Sequence, residues 1–148
     1  MKFIVAKELG RLAKWLRIMG YDAAYFNKDE KRELVIRSLR EERIILSRDS
    51  RMSRYSGIRF VHVESDFVEE QVKQILAKLN MKPDEERLFS RCVVCNEPLI
   101  EIGKVEVKDK VAPYVYETQE HFMTCPGCSR IYWQGTHWAN VKKLVEGL

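Results

Sequence analysis

The chain has 148 residues, of which 45% are hydrophobic and 32% charged, with a formal net charge of +4. That apolar content supplies the core of one ordinary domain or two small ones, and no apolar run approaches the ~20 residues that a membrane span needs. The opening Met1-Lys2-Phe3-Ile4-Val5 enters an apolar stretch at once and lacks the layout of a secretory leader, so a cytoplasmic location without a membrane partner is expected. The charge balance permits a polyanionic partner without requiring one, and it assigns no oligomeric state.

Residues 2–5 read as a first strand and residues 7–19 as a first helix. At 100° per residue, Leu9, Leu12, Ala13, Leu16 and Met19 share one face of that helix. Lys7, Arg11 and Lys14 gather on the other face, with Arg17 on their flank, as a cationic stripe suited to a phosphate backbone or to plain solvent. Gly20 follows the last apolar position and is a natural helix stop. Residues 21–26 suit a second strand. Asn27-Lys28-Asp29-Glu30 leads into a helix over residues 30–42, with Leu34, Val35 and Leu39 turned inward. Residues 43–47 form a β-branched run short enough for a buried parallel strand, and Arg48-Asp49-Ser50-Arg51 stands at its C-terminal end. Residues 58–63 give another strand. Asp66 and Glu69 have capping-box spacing, before a helix whose stripe is Val68, Val72, Ile75, Leu76 and Leu79.

This alternation predicts an α/β domain with a parallel sheet over residues 1–81, and Lys82-Pro83-Asp84-Glu85-Glu86-Arg87 is polar enough to be a linker. Residues 88–148 change character. The four cysteines fall only as Cys92-Val93-Val94-Cys95 and Cys125-Pro126-Gly127-Cys128, the spacing of a four-thiolate structural zinc site. The expected ribbon has strands near Val105-Glu106-Val107 and Pro113–Tyr116, and a core so small that the metal supplies much of its folding free energy.

In parallel α/β sheets, ligands collect at the strand C-terminal ends. Asp49 lies at one such end, with Asp29, Glu30 or Glu33 at the start of the second helix; together they suit divalent-cation chemistry on phosphates, or are no more than helix caps and solvated charges. Arg48, Arg51 and Arg54 add positive charge beside them. Trp133, His137 and Trp138 suit base stacking, or, as the better reading, cover the ribbon against the first domain. The end of the first strand is occupied by Ala6, a methyl where chemistry would be expected.

The runs Leu9–Arg17, Gly20-Tyr21-Asp22, Arg43–Asp49, Ser90–Asn96, Tyr114–Glu117, Cys125–Cys128 and Tyr132–Trp138 together resemble the Mut-seven C-terminal domain family, ribonucleases of PIN-like fold with an appended zinc ribbon. The resemblance implies metal-dependent cleavage of RNA by a small carboxylate cluster holding Mg²⁺ or Mn²⁺, with structural Zn²⁺ on Cys92, Cys95, Cys125 and Cys128. Asp49 takes the place of the aspartate in the family's Thr-Arg-Asp motif, Ser47 replacing its threonine. Asp29 or Glu30 matches a second acidic position loosely, and Glu33 more loosely still. Lys7, Arg11, Lys14, Arg17 and Arg48 are then the RNA-binding set. The family's first strand ends in aspartate, so Ala6 removes a ligand and implies weakened metal binding and a chain nearly inactive as it stands. Either Ala6 is a deliberate inactivating substitution, which the other intact motifs favour, or catalysis has been lost and RNA binding kept. The rival functions are a non-catalytic RNA-binding protein of the same fold and a protein-interaction adaptor docking through its ribbon.

Overall fold

The computed structural model describes residues 1–148. Four strands, β1 (Lys2–Val5), β2 (Asp22–Tyr25), β3 (Ile44–Ser47) and β4 (Phe60–His62), form a parallel sheet in the order β2-β1-β3-β4. Both central strands are apolar on both faces because both faces are covered. Phe3 and Val5 of β1, with Ile44 and Leu46 of β3, enter one core with Leu12 and Leu16 of α1 (Gly10–Ile18) and Val72 and Ile75 of α3 (Val68–Lys78). Ile4 and Ile45, one residue out of phase, enter a second core with Leu34 and Val35 of α2 (Lys31–Glu41). Side chains this deeply buried contribute about 1.5–3 kcal/mol each, which fixes the strand register against a one-residue slip.

The helical stretch after β1 opens with a tight 3₁₀ turn at Lys7–Leu9 before α1 begins. Gly20 ends the segment at φ 88°, the left-handed value its position demands. A Cβ there would lie 2.4 Å from the Arg87 carbonyl oxygen, so the chain also needs glycine for close approach.

Residues 88–148 hold an antiparallel sheet of β5 (Ile100–Ile102), β6 (Phe122–Thr124) and β7 (Ile131–Tyr132), with short α4 (Pro113–Thr118) and terminal α5 (Thr136–Glu146). The expected ribbon strands are corrected here: Val105-Glu106-Val107 lies in a 3₁₀ turn, and Pro113–Tyr116 opens α4, with Pro113 in the first turn where its missing N–H costs nothing. Leu39 is 48% exposed rather than inward, because α2 meets the sheet only along Leu34, Val35 and Ser38. The Asp66–Glu69 spacing is not used as a cap either: α3 has Phe67 at its N-cap, and Asp66 pairs with Arg48.

The core does not stop at residues 82–87. Leu88, and Val141 and Val145 of α5, join the same cluster as the α1 and α3 side chains, so α5 returns to pack beside those helices. Asp22 ties the halves further, accepting hydrogen bonds from Arg43 Nη1 and Asn96 Nδ2, both at 2.7 Å. Burial opposes ionisation of Asp22, but these two donors outweigh it and hold its carboxyl below the usual range. No helix is long and apolar enough to cross a membrane.

Candidate functional site

β1 and β3 are neighbours, with Val5 opposite Leu46, so Ala6 and the Ser47-Arg48-Asp49 turn emerge side by side. They open into a cleft of about 490 Å³ whose walls include Lys7, Glu8, Asp29, Glu30, Lys31 and Arg51. Asp49, Asp29, Glu30, Lys7 and Arg48 are thus brought together around Ala6, as their positions in the sequence imply. Glu33 is turned aside and pairs with Lys28 at 3.0 Å.

Each acid in the cleft already has a partner. Asp49 pairs with Lys31, and with Arg51 through Nε at 3.0 Å and Nη2 at 3.2 Å; its Oδ1 also accepts the Arg51 backbone N–H. The Arg51 guanidinium, then the Lys31 ammonium, hold its carboxyl well below the ordinary range. Asp29 pairs with Lys7 at 3.2 Å, and Glu30 caps α2 by accepting the Arg32 N–H. Glu8 was not assigned a role from the sequence, yet it reaches across the β1–β3 seam. Its Oε1 accepts from Ser47 Oγ at 3.1 Å and from the Arg48 N–H at 3.0 Å. Ser47 Oγ accepts the Asp49 N–H in turn, so one hydroxyl links the two acids. The available signal was an acidic residue in the turn leaving a strand C-terminus. Lys28 and Lys31 were equally unmarked, since lysines around a helix start look like ordinary surface.

A divalent Mg²⁺ or Mn²⁺ takes several oxygens at about 2.0–2.2 Å. Here the carboxylates are spread over the cleft, each neutralised by a lysine or arginine or spent on backbone N–H groups, and Ala6 supplies no oxygen at the seam. This donor arrangement does not fit a resident divalent cation.

The four cysteines behave differently. Cys92, Cys95, Cys125 and Cys128 place their sulfurs within 4.8 Å of one another, a cluster able to hold a metal ion. Cys92 Sγ and Cys128 Sγ are 3.7 Å apart, and two thiolates of a tetrahedral zinc with Zn–S of about 2.3 Å lie about 3.8 Å apart. Burial pushes the Cys92 thiol up, but the Tyr132 hydroxyl at 3.1 Å and the Cys95 backbone N–H outweigh that and bring it to about 7. Cys95, facing Cys128 and Cys125, is pushed upward, as crowded sulfurs are when they compete for one negative charge. The donor set fits Zn²⁺, which the four cysteines would hold as a closed structural site.

Of the cationic stripe, Lys7, Arg11 and Lys14 are exposed. Arg17 is corrected: it is 8% exposed and its guanidinium is spent on carbonyls. Nε donates to Ala23 at 2.9 Å, and Nη1 to Val93 at 2.8 Å and Val94 at 3.1 Å. It clamps the first cysteine knuckle to β2 and does not stand on the exposed stripe. Burial lowers its pKa, with Cys92 the leading opposing influence, but a guanidinium stays charged.

A model of one protein family, the Mut7-C RNAse domain, matches residues 1–145. No curated protein and no solved structure gave a match.

Proposed function

The chain belongs to the Mut7-C RNAse domain family, and from that premise we propose that it binds RNA as a ribonuclease whose metal-dependent cleavage is impaired by Ala6. Support comes first from the cleft at the C-terminal ends of β1 and β3. It gathers Lys7, Lys28, Lys31, Arg48 and Arg51 among Glu8, Asp29, Glu30 and Asp49, and those five cations are the groups that would meet a phosphodiester backbone. The single observation that carries the impairment is Ala6 itself, 6% exposed at the seam, where its methyl stands beside Glu8 and Asp49 without an oxygen to offer. Lys31 and Lys7 take up the carboxylates that a cation would use. As it stands the chain positions RNA and turns it over slowly or not at all.

In this reading Lys7 and Arg48 hold the backbone at the cleft, Asp49 and Glu8 are the acids nearest the scissile phosphate, and Ser47 keeps both in register. The four cysteines hold structural Zn²⁺ and keep the second half folded against the first. The test is Ala6→Asp, assayed on single-stranded RNA with Mn²⁺. A gain of at least about a hundredfold over the parent, lost on adding EDTA, is expected for restoring a ligand. No gain would sink the cleavage reading and leave the non-catalytic RNA-binding one.

A further inference from the structure

All three tryptophans of the chain, Trp15, Trp133 and Trp138, line a single groove of about 620 Å³ between α1 and the start of α5. Trp15 comes from α1, half-buried against the core, while Trp133 precedes α5 and Trp138 lies in its first turn. Trp133 is 38% exposed, steadied by Phe122 at 6.3 Å between ring centroids. Trp138 lies 6.1 Å from Phe89, with Lys142 Nζ 5.4 Å from its ring. The Trp138 indole N–H is the one buried side-chain polar atom without a hydrogen-bond partner. Gly135 lets Trp133 fold back, since a Cβ there would meet its Nε1 at 3.2 Å.

The groove is not purely apolar. Arg11 and Lys14, one ridge of α1, line it with His137. Arg11 also lines a shallow trough shared with Lys7 and Glu8, and those two line the cleft beyond. The tryptophan groove, the trough and the cleft are therefore strung on Arg11, Lys7 and Glu8 as one track, with exposed cations along it. A cationic track beside flat aromatic faces matches a chain of phosphates with splayed bases. An apolar protein segment would leave Arg11 and Lys14 unmatched at its edge.

We propose that this groove is a base-binding subsite for single-stranded RNA. Unstacked bases lie against the indoles of Trp133 and Trp138, and the backbone runs over Arg11 and Lys14 toward the cleft at Ala6. The assignment rests on the RNA reading above and adds the place where bases, rather than phosphates, are held. Because the only tryptophans line the groove, their fluorescence reports on it directly.

The experiment titrates the full zinc-bearing chain with a twelve-nucleotide oligouridine and with an abasic ribose–phosphate oligomer of equal length, at two salt concentrations. Oligouridine is expected to quench the tryptophan emission and to bind at least about tenfold tighter than the abasic strand. Trp133→Ala is expected to cost about five- to a hundredfold in oligouridine affinity with the salt slope unchanged, whereas Arg11→Ala and Lys14→Ala each lower that slope by about one. The comparison of two ligands on the parent protein needs no variant to fold. Equal affinity for both strands without quenching overturns the subsite while leaving salt-dependent RNA binding at the cleft intact. Unchanged affinity in a folded Trp133→Ala chain overturns it as well. Failure of both strands to bind removes the subsite and the RNA reading together.

Discussion

Arg17→Met separates a clamp from an RNA contact, because it keeps the aliphatic stem and removes only the guanidinium. Three carbonyl acceptors, Ala23, Val93 and Val94, lose a charged donor. Hydrogen bonds to charged groups are worth about 1.5–3 kcal/mol each, but three from one group do not add fully, so the expected loss is about 3–5 kcal/mol. For a chain of this size that lowers Tm by roughly 6–20 °C. Val93 and Val94 lie between Cys92 and Cys95, so the variant is also expected to release zinc faster to a colorimetric chelator. Arg11→Met, at an exposed position on the same helix, is expected to change stability by no more than about 0.5 kcal/mol. Differential scanning fluorimetry and the zinc-release assay read both effects. An Arg17→Met chain that melts within about 2 °C of the parent, keeps its zinc and loses RNA affinity would refute the clamp and return Arg17 to the RNA-binding set.

Asp22 gives a pH dependence with a definite sign. Its folded pKa lies below the ordinary 3.8, so its contribution is present above that value and fades as pH falls through the depressed folded pKa. The stability gap between the parent and Asp22→Asn, measured by urea titration, is therefore expected to be widest near neutrality and to narrow below about pH 4; a gap that widens in acid contradicts the network. Gly20→Ala combines a φ of 88° with a 2.4 Å approach to the Arg87 carbonyl, and is expected to cost about 2 kcal/mol or more in the same titration. Elemental analysis is expected to find about one zinc per parent chain and none in Cys92→Ser, with a lower Tm for the variant, because metal affinity is folding free energy in so small a ribbon; full zinc occupancy in that variant refutes a four-cysteine site.

The sheet was legible because buried parallel strands leave a strong mark: Phe3-Ile4-Val5 and Ile44-Ile45-Leu46 are apolar on both faces, and the first runs directly into the amphipathic α1. The cysteine cluster was legible because paired C-x-x-C spacing has few other uses. The ribbon strands were not, since Val105 and Val107 follow a β-like alternation that only tertiary context turns into a 3₁₀ turn. Arg17 misled for a related reason: helical periodicity places it on the flank of the polar face but cannot reveal that the cysteine knuckle packs over it. Glu8 was hidden because its partners, Ser47 and the Arg48 N–H, lie about forty residues away and meet it only through the β1–β3 pairing.

The charge around Ala6 makes the loss of one carboxylate more consequential than a count of ligands suggests. Lys7, Lys28, Lys31, Arg48 and Arg51 face Glu8, Asp29, Glu30 and Asp49, five cations against four anions, so the cleft is close to neutral without any bound ion. Lys31 on Asp49 and Lys7 on Asp29 are the internal counter-ions that achieve this. A divalent cation entering such a cleft must displace ammonium groups and then sits in an excess of positive charge. An anionic phosphate entering it meets a lining with one cation in excess, although Lys7, Lys28, Lys31, Arg48 and Arg51 each already face a carboxylate that it must displace. The present lining therefore favours the phosphate over the metal, which is why RNA retention is expected to survive at Ala6 while turnover is not. Ala6→Asp shifts both preferences at once. It adds an oxygen at the seam and one negative charge where Lys31 and Lys7 already converge, so metal affinity is expected to rise as RNA affinity in metal-free buffer falls. Titrating both ligands against both chains checks that opposition. A variant that gains affinity for RNA without metal would show that local charge is not what sets the choice.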